Sequence, residues 1–217
     1  AFTGVDLRKV TKLAIGLEGG QGIIFLDDIG LSPEGRQLVT PIKPATTNLV
    51  AYYGMEGNVN SSTGTLPGAV VGAPTYTTGK VGQAIKLNGA TDYIGFEGSL
   101  SLSVYTAAVW FRVEGGTGAR DLISIYNNEG QHGPLLEIET DGVMRFLHRA
   151  PVGATTGDVN IRNYNRFDDG AWYHAAIVRA DGEARLYVNG VLAGTLPSAT
   201  PFDQVLPRMV IGVLKHD

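Results

Sequence analysis

The stretch that most constrains the fold is Ala171 to Gly194, AWYHAAIVRADGEARLYVNGVLAG. Asp181-Gly182 and Asn189-Gly190 are the dipeptides that two-residue hairpin turns favour, because such turns need positive φ. Between them, Ala184, Leu186 and Val188 fall on one face and Arg185, Tyr187 and Asn189 on the other. That period of two predicts a strand buried on one side. Trp172 to Arg179 carries bulky apolar groups on both faces and is expected to lie further inside a sheet. The whole stretch reads as a three-strand meander.

The rest of the chain extends this pattern. Its 217 residues suffice for one large β domain, or one domain plus a fragment. Thirty glycines with few long helical periodicities favour many short strands joined by tight turns. A formal charge of −4 leaves no basic footprint, so nucleic acid is not an expected partner. No run of 18 apolar residues offers a membrane span. The chain begins with Ala1 and shows no signal peptide, which reads as a mature or excised piece of something larger. The absence of cysteine removes disulfides and thiolate metal sites without deciding the compartment.

In chain order, Thr11–Leu17 and Gly22–Leu31 are expected strands around a glycine-rich turn. Residues Ser32 to Asn48 hold three prolines and the polar run TPIKPATTN, which is linker chemistry. A boundary near Pro44 therefore separates an arm, residues 1–43, from a domain, residues 44–217. The arm is too short to bury a core of its own. Beyond it come expected strands at Leu49–Tyr53, Gln83–Leu87, Tyr93–Phe96, Ser103–Val113, Asp121–Tyr126, Pro134–Glu139, Val143–His148, Val159–Asn163 and Met209–Leu214. Asp141-Gly142 is a third turn dipeptide. The fold class is all-β, a two-sheet antiparallel sandwich rather than a parallel α/β sheet.

From Asn48 onwards the order of motifs resembles a laminin-G-like domain of the concanavalin A-like jelly-roll superfamily. The residues that carry the resemblance are NLVAYYGMEGNVNSSTG, GKVGQAIKLNGATDYIGF, LSVYTAAVWFRVEG, DGVMRFLHRAPVG and DGAWYHAAIVRADGEARLYVNGVLAG. It implies two antiparallel sheets in a module of a bacterial secreted or surface protein, binding glycans or proteins, often with structural calcium. Relatives on this architecture include glucanases. The family's pattern continues past RMVIGVLKHD into a further strand, whereas Gly22–Leu31 has that strand's character at the other end. Four or five missing apolar side chains at roughly 1.5–3 kcal/mol each would approach a domain's margin of roughly 5–15 kcal/mol. The arm is thus either the tail of an upstream β module or the supplier of that strand, in a monomer or a strand-swapped dimer.

Three kinds of site are candidates. Ca²⁺ takes six to eight oxygens; Glu56, Asn58 and Asn60 alternate through one glycine-containing loop, and Asn88 and Asp92 flank another turn. The resemblance would add Asp27 or Asp28, where the family's first loop meets its last strand. The plainer reading is that Asn and Asp are ordinary turn residues. Next, Glu137, Glu139 and Asp141 alternate on one strand face. Retaining glycosidases need two carboxyls about 5–5.5 Å apart, and catalytic relatives carry Glu-x-Asp-x-Glu. Here the centre is Glu139 and the last position is a turn aspartate, so a solvated outer face is the plainer reading. Third come ligand-binding groups: Tyr126, Asn127, Asn128 and His132 in one loop, Arg149, Asn163, Tyr164 and Arg166 in another. Trp110 and Trp172 sit in apolar strands and resemble the family's core tryptophans.

The four histidines lack metal-ligand spacing, and no Gly-x-Ser-x-Gly elbow is present. Three functions remain open. The first is a non-catalytic module that binds a polysaccharide. The second is a glycoside hydrolase using Glu137 and Glu139. The third is an adhesion module whose partner is another protein domain.

Overall fold

The computed structural model describes residues 46–101, 103–155, 160–180, 182–197 and 204–214. The chain divides into two compact units, Ala1–Thr47 and Asn48–Asp217. The expected strands Thr11–Leu17 and Gly22–Leu31, with Asp27 and Asp28, lie outside the described residues.

The second unit is an antiparallel β-sandwich, with no helix among its described residues. Its strands are β1 (Gly68–Val71), β2 (Thr75–Thr78), β3 (Gln83–Lys86), β4 (Tyr93–Ser101), β5 (Tyr105–Phe111), β6 (Arg120–Tyr126) and β7 (His132–Ile138). They continue with β8 (Val143–His148), β9 (Asn160–Arg166), β10 (Tyr173–Ala180), β11 (Glu183–Val188), β12 (Val191–Pro197) and β13 (Val205–Ile211). A seven-stranded sheet runs β1-β4-β13-β6-β7-β8-β9, a four-stranded sheet β12-β11-β10-β5, and β2 pairs with β3.

The meander predicted from Ala171 to Gly194 is β10-β11-β12. Asn189 and Gly190 both take positive φ, 50° and 78°, as a tight hairpin turn requires. β10 is the interior strand, hydrogen-bonded to β11 on one side and β5 on the other. Its inward residues Ala175 and Ile177 are fully buried, as are Ala184 and Leu186 on β11. Leu136 and Ile138 of β7, with Met144 and Phe146 of β8, bury the other layer of the same core cluster. Burying side chains of this size contributes roughly 1.5–3 kcal/mol each. A smaller cluster of Val59, Ile94 and Phe96 gathers Tyr53, Met55, Ile85, Met209 and Ile211.

Three expectations change. Leu49–Tyr53 is no strand; Tyr53 makes an isolated bridge to Ser61. β1 and β2 arise between residues 54 and 82, where no strand was expected. Trp110 is not a core residue: it is 46% exposed. Tyr105 and Phe111 take the inward face of β5, which leaves Thr106, Ala108 and Trp110 facing outward. Trp172 is half-buried, and the Arg112 guanidinium stands 5.4 Å from its ring centroid.

Candidate functional site

The outer face of the seven-stranded sheet carries charge in register. Asp121 on β6 pairs with Glu137 on β7, Glu137 with Arg145 on β8, and Arg145 with Arg162 on β9. One rung across four strands thus holds two acids followed by two arginines. Arg145 makes close ion pairs to Glu137 and reaches Glu139 Oε1 at 3.5 Å. Arg162 grips Glu139 with both prongs, Nε to Oε2 at 2.8 Å and Nη2 to Oε1 at 2.9 Å. That hydrogen-bonded carboxylate holds the Arg162 pKa above its ordinary value. Burial and then the neighbouring Glu137 push the Asp121 carboxyl up to about 6.

Next to this rung the β7–β8 turn and β9 enclose an open cleft of about 270 Å³, lined by Glu139, Thr140, Asp141, Val143, Arg162 and Tyr164. The Asp-Gly turn shapes one wall. Asp141 Oδ1 accepts from the Val143 N–H at 3.1 Å, and Gly142 takes φ 87°. A Cβ on Gly142 would come within 2.5 Å of the Asp168 carboxylate, so glycine is required there on two counts. The Phe167 N–H donates to the Gly142 carbonyl at 2.9 Å and ties the end of β9 to the turn.

A β-bulge shapes the other wall. Val143 pairs with Arg166 while Met144 pairs with Asn163, so extra β9 residues oppose one step of β8. Bulges re-aim side chains; here Tyr164 stands out 79% exposed. Asn163 Oδ1 accepts from the Asn165 N–H at 3.2 Å and shapes the backbone under that ring. Arg166 forks onto Asp168 at 3.1 and 2.7 Å, and this pairing holds the Asp168 pKa below the usual carboxylate range.

Asn163 and Arg166 thus lie beside the cleft on β9 and are not among its lining residues, while the structure joins Tyr164 with Glu139 in the cleft and adds Arg162, which the sequence reading missed. The signal for it was present: Arg162, Tyr164 and Arg166 alternate at i, i+2, i+4. Arg149 belongs elsewhere, at the far end of β8, where its N–H donates to the Gly133 carbonyl at 3.2 Å. Tyr126 and His132 are strand residues rather than loop residues and are only 1% and 9% exposed. His132 Nδ1 and Ser124 Oγ lie 3.1 Å apart. Asn127 closes its own turn through Gln131 at 2.8 and 2.9 Å, while Asn128 is exposed at the tip.

Glu137 and Glu139 do share a face, yet Glu137 is 4% exposed rather than solvated. Both carboxylates attach to the single guanidinium of Arg145. In this arrangement neither stands free as an in-line nucleophile, and Glu139 alone of the two lines the cleft. The arrangement suits holding hydroxyls: fixed acceptors at Glu139 and Asp141, a donor at Arg162, and one exposed ring.

Of the oxygens proposed for calcium, those of Glu56, Asn58, Asn88 and Asp92 accept hydrogen bonds from backbone N–H groups of their own loops or of neighbouring ones. Asp92, 5% exposed, accepts from the Ala73 N–H at 2.9 Å and the Asn88 N–H at 3.2 Å. Asn88 Oδ1 accepts from the Ala90 and Thr91 N–H groups at 2.9 Å and from Asp92 at 3.1 Å. The Glu56 carboxylate accepts from the Gln83 N–H at 3.0 and 3.2 Å, and Asn58 Oδ1 from the Asn60 N–H at 2.9 Å. Among the described residues no three acidic or histidine side chains converge as a metal site.

Comparison with known proteins settles the lineage. The family model described as the concanavalin A-like lectin/glucanases superfamily, of laminin G type, matches residues 88–216. The chain belongs to this superfamily. A search of curated proteins finds no match. Among solved structures, this superfamily member is similar to the binding domain of Paraclostridial Mosquitocidal Protein 1. The TM-score is 0.63 at 17% identity, over 77% of this chain and 44% of that one. It is similar to domain 4 of AbnA, an extracellular arabinanase from Geobacillus stearothermophilus solved with arabinotriose. There the TM-score is 0.54 at 19% identity, over 76% of this chain and 92% of that one. The botulinum neurotoxin serotype D binding domain gives a TM-score of 0.57 at 13% identity, over 78% of this chain and 44% of that one. The chain spans less than half of the toxin binding domains it matches. These likenesses share the sandwich fold. No helix among the described residues is long and apolar enough to cross a membrane.

Proposed function

We propose that the concanavalin A-like unit is a non-catalytic carbohydrate-binding module of a secreted or surface protein, with the cleft between the β7–β8 turn and β9 as its site. The single observation that carries this reading is Tyr164, whose ring stands 79% exposed beside fixed polar groups. Aromatic rings stack on the apolar faces of sugars while carboxylates and guanidinium groups meet the hydroxyls. The co-structure of the arabinanase domain with arabinotriose supports a sugar ligand by analogy of fold.

Charge narrows the ligand class. The lining residues contribute two carboxylates, Glu139 and Asp141, against one guanidinium, Arg162. Arg162 is already committed to Glu139. An anionic sugar would meet the uncompensated acid, so the site suits neutral polysaccharides such as arabinan, xylan, mixed-linkage β-glucan or galactomannan. Affinity electrophoresis in gels containing each polymer tests this, with Tyr164→Ala alongside the unaltered chain. Retardation in at least one neutral polymer, weakened in Tyr164→Ala at an unchanged melting temperature, is the expected result. Retention by sialylated or uronic polymers alone would overturn it. Reducing-sugar release abolished by Glu137→Gln would instead support a hydrolase.

A further inference from the structure

The second feature is on the outer face of the four-stranded sheet. Trp110, 46% exposed, sits on β5 directly opposite His174 of β10, and the two rings are 5.1 Å apart at 56°. The Lys80 ammonium stands 5.3 Å from the Trp110 ring centroid. The next rung along the sheet begins with two alanines, Ala108 and Ala176, and continues to Tyr187 of β11 and Leu192 of β12. With no side chain beyond Cβ at those two positions, the surface between Trp110 and Tyr187 is low. Strand spacing of about 4.8 Å and a rise of about 3.4 Å per residue put their Cα atoms roughly 12 Å apart.

We infer that this face is a second glycan-binding platform, on which a neutral sugar chain stacks on Trp110 and crosses the alanine floor towards Tyr187. Its ligand class rests on the carbohydrate reading above, but its location does not. Burial holds the His174 pKa below the ordinary value, so at neutral pH the imidazole is uncharged and can exchange hydrogen bonds with hydroxyls. Lys80 supplies three rotatable donors at the rim. Arg185 Nε binds Glu183 Oε2 at 3.0 Å, so that pair adds no net charge and Lys80 is the charge nearest the ring. A protein partner is a poorer match. An exposed half-tryptophan offers on the order of 100 Å² of apolar surface, against about 800 Å² per partner in a stable interface, and alanines interrupt the patch.

The two sites lie on the outward faces of opposing sheets, because the inward faces of both sheets share one core cluster. One unit can therefore hold two polysaccharide strands and cross-link them. That activity goes beyond simple binding and provides its readout.

The test uses the full chain with arabinan, xylan, mixed-linkage β-glucan and galactomannan. The chain has two tryptophans, so Trp172→Phe leaves Trp110 as the sole indole reporter. Expected results are a blue shift of its emission on adding the bound polymer, still present when Tyr164→Ala is added. Turbidity from cross-linking should appear with the unaltered chain, vanish in Trp110→Ala and return in Trp110→Phe. Lost avidity should also weaken apparent affinity for long polymer at least tenfold in Trp110→Ala. Melting temperatures within a few degrees show that each variant folds. If Trp110→Ala binds and cross-links as well as the parent while Tyr164→Ala loses all binding, the cleft stands and the platform is wrong. If the unaltered chain binds none of the polymers, both readings fall.

Discussion

Arg162 on β9 reaches past β8 to clasp Glu139 at the end of β7, with both guanidinium prongs within 2.9 Å of the two carboxylate oxygens. The clasp fixes the floor of the cleft under Tyr164. It also leaves Glu139 with no freedom to act as a mobile acid or nucleophile.

Arg162→Gln should therefore act on binding more than on stability. The Arg162 side chain is 39% exposed, and exposed ion pairs contribute about 0–1 kcal/mol. Urea unfolding should show a loss below about 1 kcal/mol. Calorimetric affinity for the polymer retained in gels should fall on the order of tenfold, since one charge-assisted contact contributes about 1.5–3 kcal/mol. Unaltered affinity would remove Arg162 from the site.

Gly142→Ala is expected to be among the more damaging changes near the cleft. It forces a side chain into φ 87° and drives a Cβ to within 2.5 Å of Asp168. A cost of roughly 2 kcal/mol or more follows, which for a domain of this size lowers the melting temperature by roughly 4–8 °C. Scanning calorimetry reads this directly; a shift under one degree would contradict the turn geometry.

A partly buried carboxyl and a buried imidazole set opposing pH responses. Asp121 titrates at about 6 in the fold against 3.8 for the ordinary carboxyl. Its folded pKa is raised, so its contribution grows as pH falls from about 6 towards 4. His148, buried beside Tyr105 and under the influence of Arg179, drops from 6.5 to about 4. Its contribution is full above 6.5 and is lost as pH falls towards 4. The His148 shift corresponds to something on the order of 3 kcal/mol, solvent screening makes that of the partly exposed Asp121 smaller, and the two oppose each other. Asp121→Asn removes one side of the balance. It should raise stability at pH 7 and add a loss of about 1–3 kcal/mol between pH 7 and 4. Urea midpoints at pH 7, 5.5 and 4 check this; a slope equal to the parent's would contradict it.

Asp92→Ala removes the acceptor that joins the Ala73 and Asn88 backbones. Leaving buried donors unsatisfied costs about 1–3 kcal/mol. If Asp92 is a turn cap, that loss is the same in Ca²⁺ and in chelator. A loss seen only with Ca²⁺ would support a metal at this loop instead.

The meander was legible because its turns are local: Asn189-Gly190 needs positive φ at both residues, and period-two alternation between turns assigns faces without knowledge of partners. β8 was placed at its observed ends for the same reason, lying just after Asp141-Gly142. The cleft was only half legible. Tyr164 and Glu139 could be named individually, but their meeting depends on the register of β7, β8 and β9 and on a bulge, which are long-range properties. Trp110 shows the opposite failure. Its parity with Ala108 against Phe111 was in the sequence, and the family resemblance overrode it.

The most direct test of the central claim is an amide-shift titration of the isotope-labelled chain with a short neutral oligosaccharide from the retained polymer. Shifts concentrated in residues 139–143 and 162–166, saturating together, are the predicted result. Saturable binding that leaves both segments unmoved would contradict a site in this cleft.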